Sequence, residues 1–231
     1  MHCHDSNGHS SCVFHVPIFT GLSEQETALL NQAIYSQGYK KGEFVFREGE
    51  LSDALYVIHE GVLKVTTLSN AGKEHILRFL FPGDFGGLFA LFKEGLHYGN
   101  AEAVETSVVC RIYRHDLKAI LSTNSEMAYR FLAAMSERLR DADEWIGSMS
   151  LMDAERRLAK ILLLYFARIA DVGTHHLPIA KKDLAGMIGV APETVSRKLA
   201  SLEAQGIISL EGKKGIHIIN PSALKRISDS L

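Results

Sequence analysis

Apolar positions change period twice along this chain. From about Gly38 to Tyr113 they come in short runs at close intervals: Glu43 to Arg47, Leu55 to His59, Val62 to Leu68, His75 to Phe81, Gly99 to Ala103 and Ser107 to Tyr113. Turn residues separate the runs at Gly42, Gly49, Glu60-Gly61, Asn70-Ala71-Gly72 and Pro82-Gly83-Asp84. Short runs rich in β-branched and aromatic residues, bounded by Gly, Pro and Asn, predict strands, and their succession predicts an antiparallel roll or barrel. From Ser125 to Met149 the pattern becomes helical: Ala128, Leu132, Met135, Leu139, Ala142, Ile146 and Met149 step by four and three. A two-in-seven stripe flanked by Arg138, Arg140, Asp141 and Asp143 is narrower than a helix packed on its own core needs. It predicts a coiled-coil seam joining two copies of the chain, with packing on its own domain as the alternative.

Beyond Asp153, which can cap a further helix through Ala154 to Leu162, two short helical patterns adjoin a glycine. Lys181 to Val190 places Leu184, Ala185 and Ile188 on one face, and Gly189 allows a tight turn. Pro192 suits the first turn of a second helix, whose buried stripe is Val195, Leu199 and Leu202. Together they predict a helix-turn-helix. Glu193, Ser196 and Arg197 then face outward near the N-terminal end of the second helix, with Lys198 beside them and Lys181 opening the first.

That is where a recognition helix touches base edges in the DNA major groove. Arg can donate two hydrogen bonds to guanine, Glu can accept from cytosine, and a hydroxyl can meet a neighbouring base. Ile207 to Leu210 and Ile216 to Ile219 read as two strands around a basic turn, a wing whose Lys213 and Lys214 would sit near phosphates. An ordinary surface helix with a Glu193–Arg197 ion pair is the competing reading. It accounts for neither the turn nor the wing.

Composition narrows the class. The chain has 231 residues, 46% hydrophobic, enough for two modest cores, and no apolar run approaches a membrane span. No charged segment followed by an apolar one opens it, so the expected location is the cytoplasm with no membrane partner. A net charge of -2 argues against a non-specific nucleic-acid coat, so basic surface must be local, between Lys181 and Lys214. Three cysteines do not make a disulfide framework in a reducing compartment. The fold class expected is α+β, with an N-terminal antiparallel β-roll, a long dimerisation helix and a C-terminal winged helix-turn-helix.

In that order, these parts resemble the CRP/FNR family of bacterial transcription regulators over nearly the whole chain. The resemblance rests on Gly49 with Val57-Ile58-His59-Glu60-Gly61, Pro82-Gly83-Asp84-Phe85-Gly86-Gly87, Ala154-Glu155-Arg156-Arg157-Leu158-Ala159 and Glu193-Thr194-Val195-Ser196-Arg197. It implies a homodimer acting on double-stranded DNA and RNA polymerase. It also implies a β-roll like the cyclic-nucleotide-binding domain. In the cyclic-AMP branch, a Gly-Glu pair and an Arg-Ser-Ala-like segment line the phosphate pocket. Here the corresponding stretch is His97-Tyr98-Gly99-Asn100-Ala101, without arginine, so cyclic AMP is not the expected effector. Ser196, where that branch has Gly, matches the FNR branch, whose half-site resembles TTGAT.

The N-terminal arm carries thiols and imidazoles in a segment too polar to form core: His2-Cys3-His4-Asp5-Ser6-Asn7-Gly8-His9-Ser10-Ser11-Cys12. FNR proteins hold a 4Fe-4S iron-sulfur cluster with three N-terminal cysteines and one in a roll strand. Cys3, Cys12 and Cys110 resemble three of those positions, while Ser6 stands at the fourth. Thiolates suit iron-sulfur clusters and zinc (Zn2+) alike, so Asp5, His4, His9 or His15 could complete either metal site. A Cys12–Cys110 disulfide, as in FNR-like proteins of Gram-positive bacteria, is the third option.

The expected organisation is a Cys/His-rich sensor arm at 1–16, the β-roll effector domain at 17–122, the dimerisation helix at 123–150 and the winged helix-turn-helix at 151–231. The expected function is redox-, oxygen- or metal-responsive transcription regulation. The alternative is an enzymatic or small-molecule-binding β-roll protein. No nucleophile elbow, phosphate loop or H-E-x-x-H run supports that alternative.

Overall fold

The computed structural model describes residues 19, 23–69, 72, 74–87, 94–170, 177, 179–212 and 215–230. These divide into two compact units, with the boundary between Leu139 and Arg140.

In the first unit, α1 (Glu24–Ala33) begins with a capping box. The Ser23 hydroxyl accepts from the Glu26 amide, and the Glu26 carboxylate accepts from the Ser23 amide. Eight strands follow: β1 (Ile34–Tyr39), β2 (Phe44–Phe46), β3 (Ala54–Glu60), β4 (Leu63–Leu68), β5 (Glu74–Leu80), β6 (Phe85–Gly86), β7 (Asn100–Ala103) and β8 (Ser107–Tyr113). They form two four-stranded antiparallel sheets, ordered β1-β8-β3-β6 and β2-β7-β4-β5. The six expected strands are all present, each within one residue of the expected ends. Two short or exposed strands, β1 and β6, complete the first sheet.

Strand β3 is buried on both faces, which explains its unbroken apolar run. Ala54, Tyr56 and Ile58 pack between the sheets with Phe46, Val65, Leu80 and Val109, while Leu55 and Val57 turn to the other side. There they meet Phe19, Leu30, Cys110, Ile112, and residues of α2 (Arg114–Thr123) and α3 (Ser125–Leu151). Met127 and Phe131 are the α3 side chains buried in this cluster.

In the second unit, α4 (Ala154–Ala170) starts at Asp153, whose Oδ1 accepts from the amides of Glu155 at 2.8 Å and Arg156 at 3.0 Å. Its residues Leu158, Ile161, Leu162 and Tyr165 are buried, and it contacts α5 (Lys181–Ile188), which in turn packs on α6 (Pro192–Ala204). The Tyr165 hydroxyl donates to Met187 Sδ at 2.8 Å. Strands β9 (Ile208–Glu211) and β10 (Gly215–Ile218) pair antiparallel, and α7 (Pro221–Asp229), capped by Asn220, packs on α4. No helix of the described residues is long and apolar enough to cross a membrane.

Candidate DNA-binding surface and roll pocket

Helices α5 and α6 form the expected helix-turn-helix. Gly189 caps α5 at φ +70, a left-handed conformation that glycine adopts at little cost, and the Val190 amide closes the turn on Ala185 O at 3.1 Å. Leu184, Ala185 and Ile188 are buried against Val195, Leu199 and Leu202. The 100° step per residue therefore turns Glu193, Ser196 and Arg197 the other way. Glu193 and Arg197 are exposed and Ser196 is half-buried. Among the described residues no ion pair joins Glu193 to Arg197, and the Arg197 guanidinium reaches only the Thr194 hydroxyl, at 3.5 Å. Both side chains stand open to a partner.

Helix α6 has Ala191 at its N-cap and Pro192 in its first turn, with no side chain capping it. Amides left over at a helix N-terminus face a phosphate favourably. Lys181 lies half-buried at the start of α5. Lys198 falls elsewhere: it flanks the buried stripe, and its Nζ pairs with Glu155 at 2.9 Å. This ion pair links α6 to α4. The wing strands are in place, whereas Lys213 and Lys214 lie outside the described residues.

The sensor residues are distributed unevenly. Cys110 is on β8, the expected strand, but only 1% exposed, with its Sγ 3.2 Å from Ser36 Oγ on the neighbouring β1. Cys3, His4, Asp5, His9, Cys12 and His15 lie outside the described residues. Among the described residues no cluster of three or more His, Cys, Asp or Glu could hold a metal.

Leu132, Leu139 and Ile146 of α3 are each about two-thirds exposed, and Ala142 is exposed with them. Met135 and Met149 are half-buried; Met135 packs against the core of the first unit. A Cβ added at Gly189 would come within 3.2 Å of Met149 Cε.

The roll pocket is one that sequence reading reached only through its missing arginine. Phe46, Ser52, Val65, Arg78, Gly86, Gly87, His97, Tyr98 and Gly99 line it, around about 10 Å3 of free space. The His97 ring lies flat on Phe46 with centroids 4.0 Å apart, and burial pushes its pKa below 6.5 against the pull of Glu50 and Asp53. Tyr56 beside it is also desolvated, so its hydroxyl titrates only at about 12. The free space is room for about one water. The stretch His97–Ala101 carries no arginine to meet a cyclic phosphate, and the arginine on the pocket wall is Arg78 of β5.

Comparison with known proteins places both units. Residues 36–124 match the cyclic nucleotide-binding domain, and residues 156–227 match the Crp-like helix-turn-helix domain. The chain is 32% identical over 218 residues to the anaerobic regulatory protein of Pasteurella multocida, covering 92% of this chain and 78% of that one. It is 30% identical over 227 residues to the transcriptional activator protein Anr of Pseudomonas protegens, covering 96% and 91%. The structure of FixK2 from Bradyrhizobium japonicum superposes with a TM-score of 0.78 at 27% identity, covering 86% of this chain and 98% of that one. These relatives are regulators rather than enzymes, which removes the enzymatic alternative. A two-sheet roll, a long helix and a helix-turn-helix with an open reading face, matched over nearly the full length, make this chain a member of the CRP/FNR family of DNA-binding transcription regulators.

Proposed function

We propose that this regulator binds, as a homodimer, a palindrome of TTGAT-like half-sites, and that Cys3, Cys12 and Cys110 make the binding depend on oxygen, redox state or metal. The observation that carries the DNA reading is the open face of α6, where Glu193, Ser196 and Arg197 converge without an internal ion pair. Arg197 and Glu193 read the G·C pair of each half-site and Ser196 its neighbour, while RNA polymerase is the partner through which binding alters transcription. Half-site centres lie about one helical turn apart, as for other dimeric helix-turn-helix proteins.

Arg197→Ala is expected to cost roughly 1–3 kcal/mol on the palindrome and to relax specificity at that base pair. A fluorescence anisotropy titration against intact and scrambled duplexes reads both effects. Equal binding of wild type and variant to the intact site would overturn the base assignment.

For the sensor, the favoured occupant of the three cysteines is an iron-sulfur cluster, with Asp5, His4, His9 or His15 supplying a further ligand. Anaerobically purified protein is then brown and carries iron and sulfide. A colourless protein with zinc, or one whose thiol count falls by two on oxidation, identifies instead the zinc site or the Cys12–Cys110 disulfide.

A further inference from the structure

Three hydrogen-bonding atoms on the wall of the roll pocket have no partner: Ser52 Oγ, Arg78 Nε and His97 Nε2. Ser52 is 1% exposed and His97 5%, so bulk water does not serve them. Buried polar groups are nearly always matched, and three unmatched ones around a single cavity call for a guest that matches all of them.

Their chemistry defines the guest. Arg78 Nε–H can only donate, the Ser52 hydroxyl can donate, and His97 Nε2 donates in one neutral tautomer and in the imidazolium. The complement is a group rich in acceptor lone pairs and negatively charged, because guanidinium binds oxyanions with strong, directed hydrogen bonds. Burial holds His97 toward the neutral ring, so it meets an anion as the Nε2–H tautomer.

Size restricts the guest further. The free space is about 10 Å3. Gly87 and Gly99 hold two walls tight, since a Cβ there would lie 2.4 Å from Ala54 O and 2.5 Å from Thr66 O. Tyr98 is the yielding wall: it is 47% exposed, and its hydroxyl is tied to Arg78 Nη2 at 3.1 Å. Displacing its ring admits a few atoms, not a base and ribose.

We propose that the roll pocket binds a small carboxylate, of formate or acetate size, through Arg78 Nε, Ser52 Oγ and His97 Nε2, in place of a cyclic nucleotide. The charge on the ligand is met from strand β5 by Arg78, where the cyclic-AMP branch meets it from the segment after the roll's glycines. The proposal does not depend on the cysteines or on the DNA site.

Titrating full-length protein with sodium formate and sodium acetate, by calorimetry and by following the His97 ring resonances, tests it. Saturable one-to-one binding that moves His97, with no response to chloride at the same ionic strength, is the expected result. Arg78→Gln should weaken binding about tenfold or more, as for loss of a charge-assisted hydrogen bond. Arg78→Lys keeps the charge without the Nε–H donor and should weaken it too, and Ser52→Ala should weaken it several-fold. Melting curves establish that each variant is folded. Absence of a saturable His97 response, an equal response to chloride, unchanged affinity in folded Arg78→Lys and Ser52→Ala, or binding of cyclic AMP in this pocket would each overturn the proposal.

Discussion

Asp153 shows how a single carboxylate decides where a helix starts. Its hydrogen bonds from the Arg156 and Glu155 amides, with Lys198 and Arg156 nearby, hold its carboxyl below the usual 3.8 despite partial desolvation. A depressed folded value means that its stabilisation is complete above the unfolded value and is lost as pH falls through the folded one. Asp153→Ala is expected to cost about 1 kcal/mol or less near neutral pH, because the cap is exposed and screened. The difference should shrink in acid, and urea denaturation of both proteins across the acid range measures it.

His97 follows the same sign from the other side. Its folded pKa is lowered by burial, so its stabilisation is complete above 6.5 and falls away as pH drops through that value toward the folded one. His97→Phe, which can still stack on Phe46, should remove this component. Thermal melts of the two proteins at about pH 7.5 and pH 5.5 should show a larger loss for wild type.

At the scale of elements, α3 has two faces with different tasks. Met127 and Phe131 bury into the roll core, while Leu132, Leu139 and Ile146 remain about two-thirds exposed. Burying such side chains against a second copy is worth about 1.5–3 kcal/mol for each one fully covered. On the proposed homodimer, wild type should sediment as a dimer at micromolar concentration and Leu139→Glu with Ile146→Glu as a monomer. Ala142 adds no charge to this stripe. Metal-free, reduced wild type should accordingly remain dimeric, and a monomer under those conditions would refute dimerisation through this apolar stripe alone.

The seam expected from the sequence does not run evenly. Met135 and Met149 are half-buried alongside these exposed positions, and Met135 packs against the core of the first unit. Helix α1 and α7 carried legible signals in Ser23-x-x-Glu26 and Asn220-Pro221. Strand β1 carried none. Four of its six residues are exposed, and it exists because β8 offers an edge to pair with.

Across the molecule, regulation requires that the cysteines and the reading helix act on one equilibrium. If they do, Cys12→Ser and Cys110→Ser will bind the TTGAT palindrome equally with and without oxygen, whereas wild type will differ between the two. Identical oxygen dependence in wild type and both variants would remove the cysteines from the mechanism.

What the sequence determined by itself was periodic or local. The alternation of the roll strands, the stripe of α3, the glycine turn before α6 and the outward trio Glu193, Ser196 and Arg197 each follow from spacing along the chain. Tertiary structure alone decided the rest. It buried Cys110 beside Ser36, drew Lys198 to Glu155, and gathered Ser52, Arg78 and His97 around one cavity. Those residues come from separate strands, helices and loops, and a one-dimensional pattern records which face a side chain takes but not which distant side chain faces it.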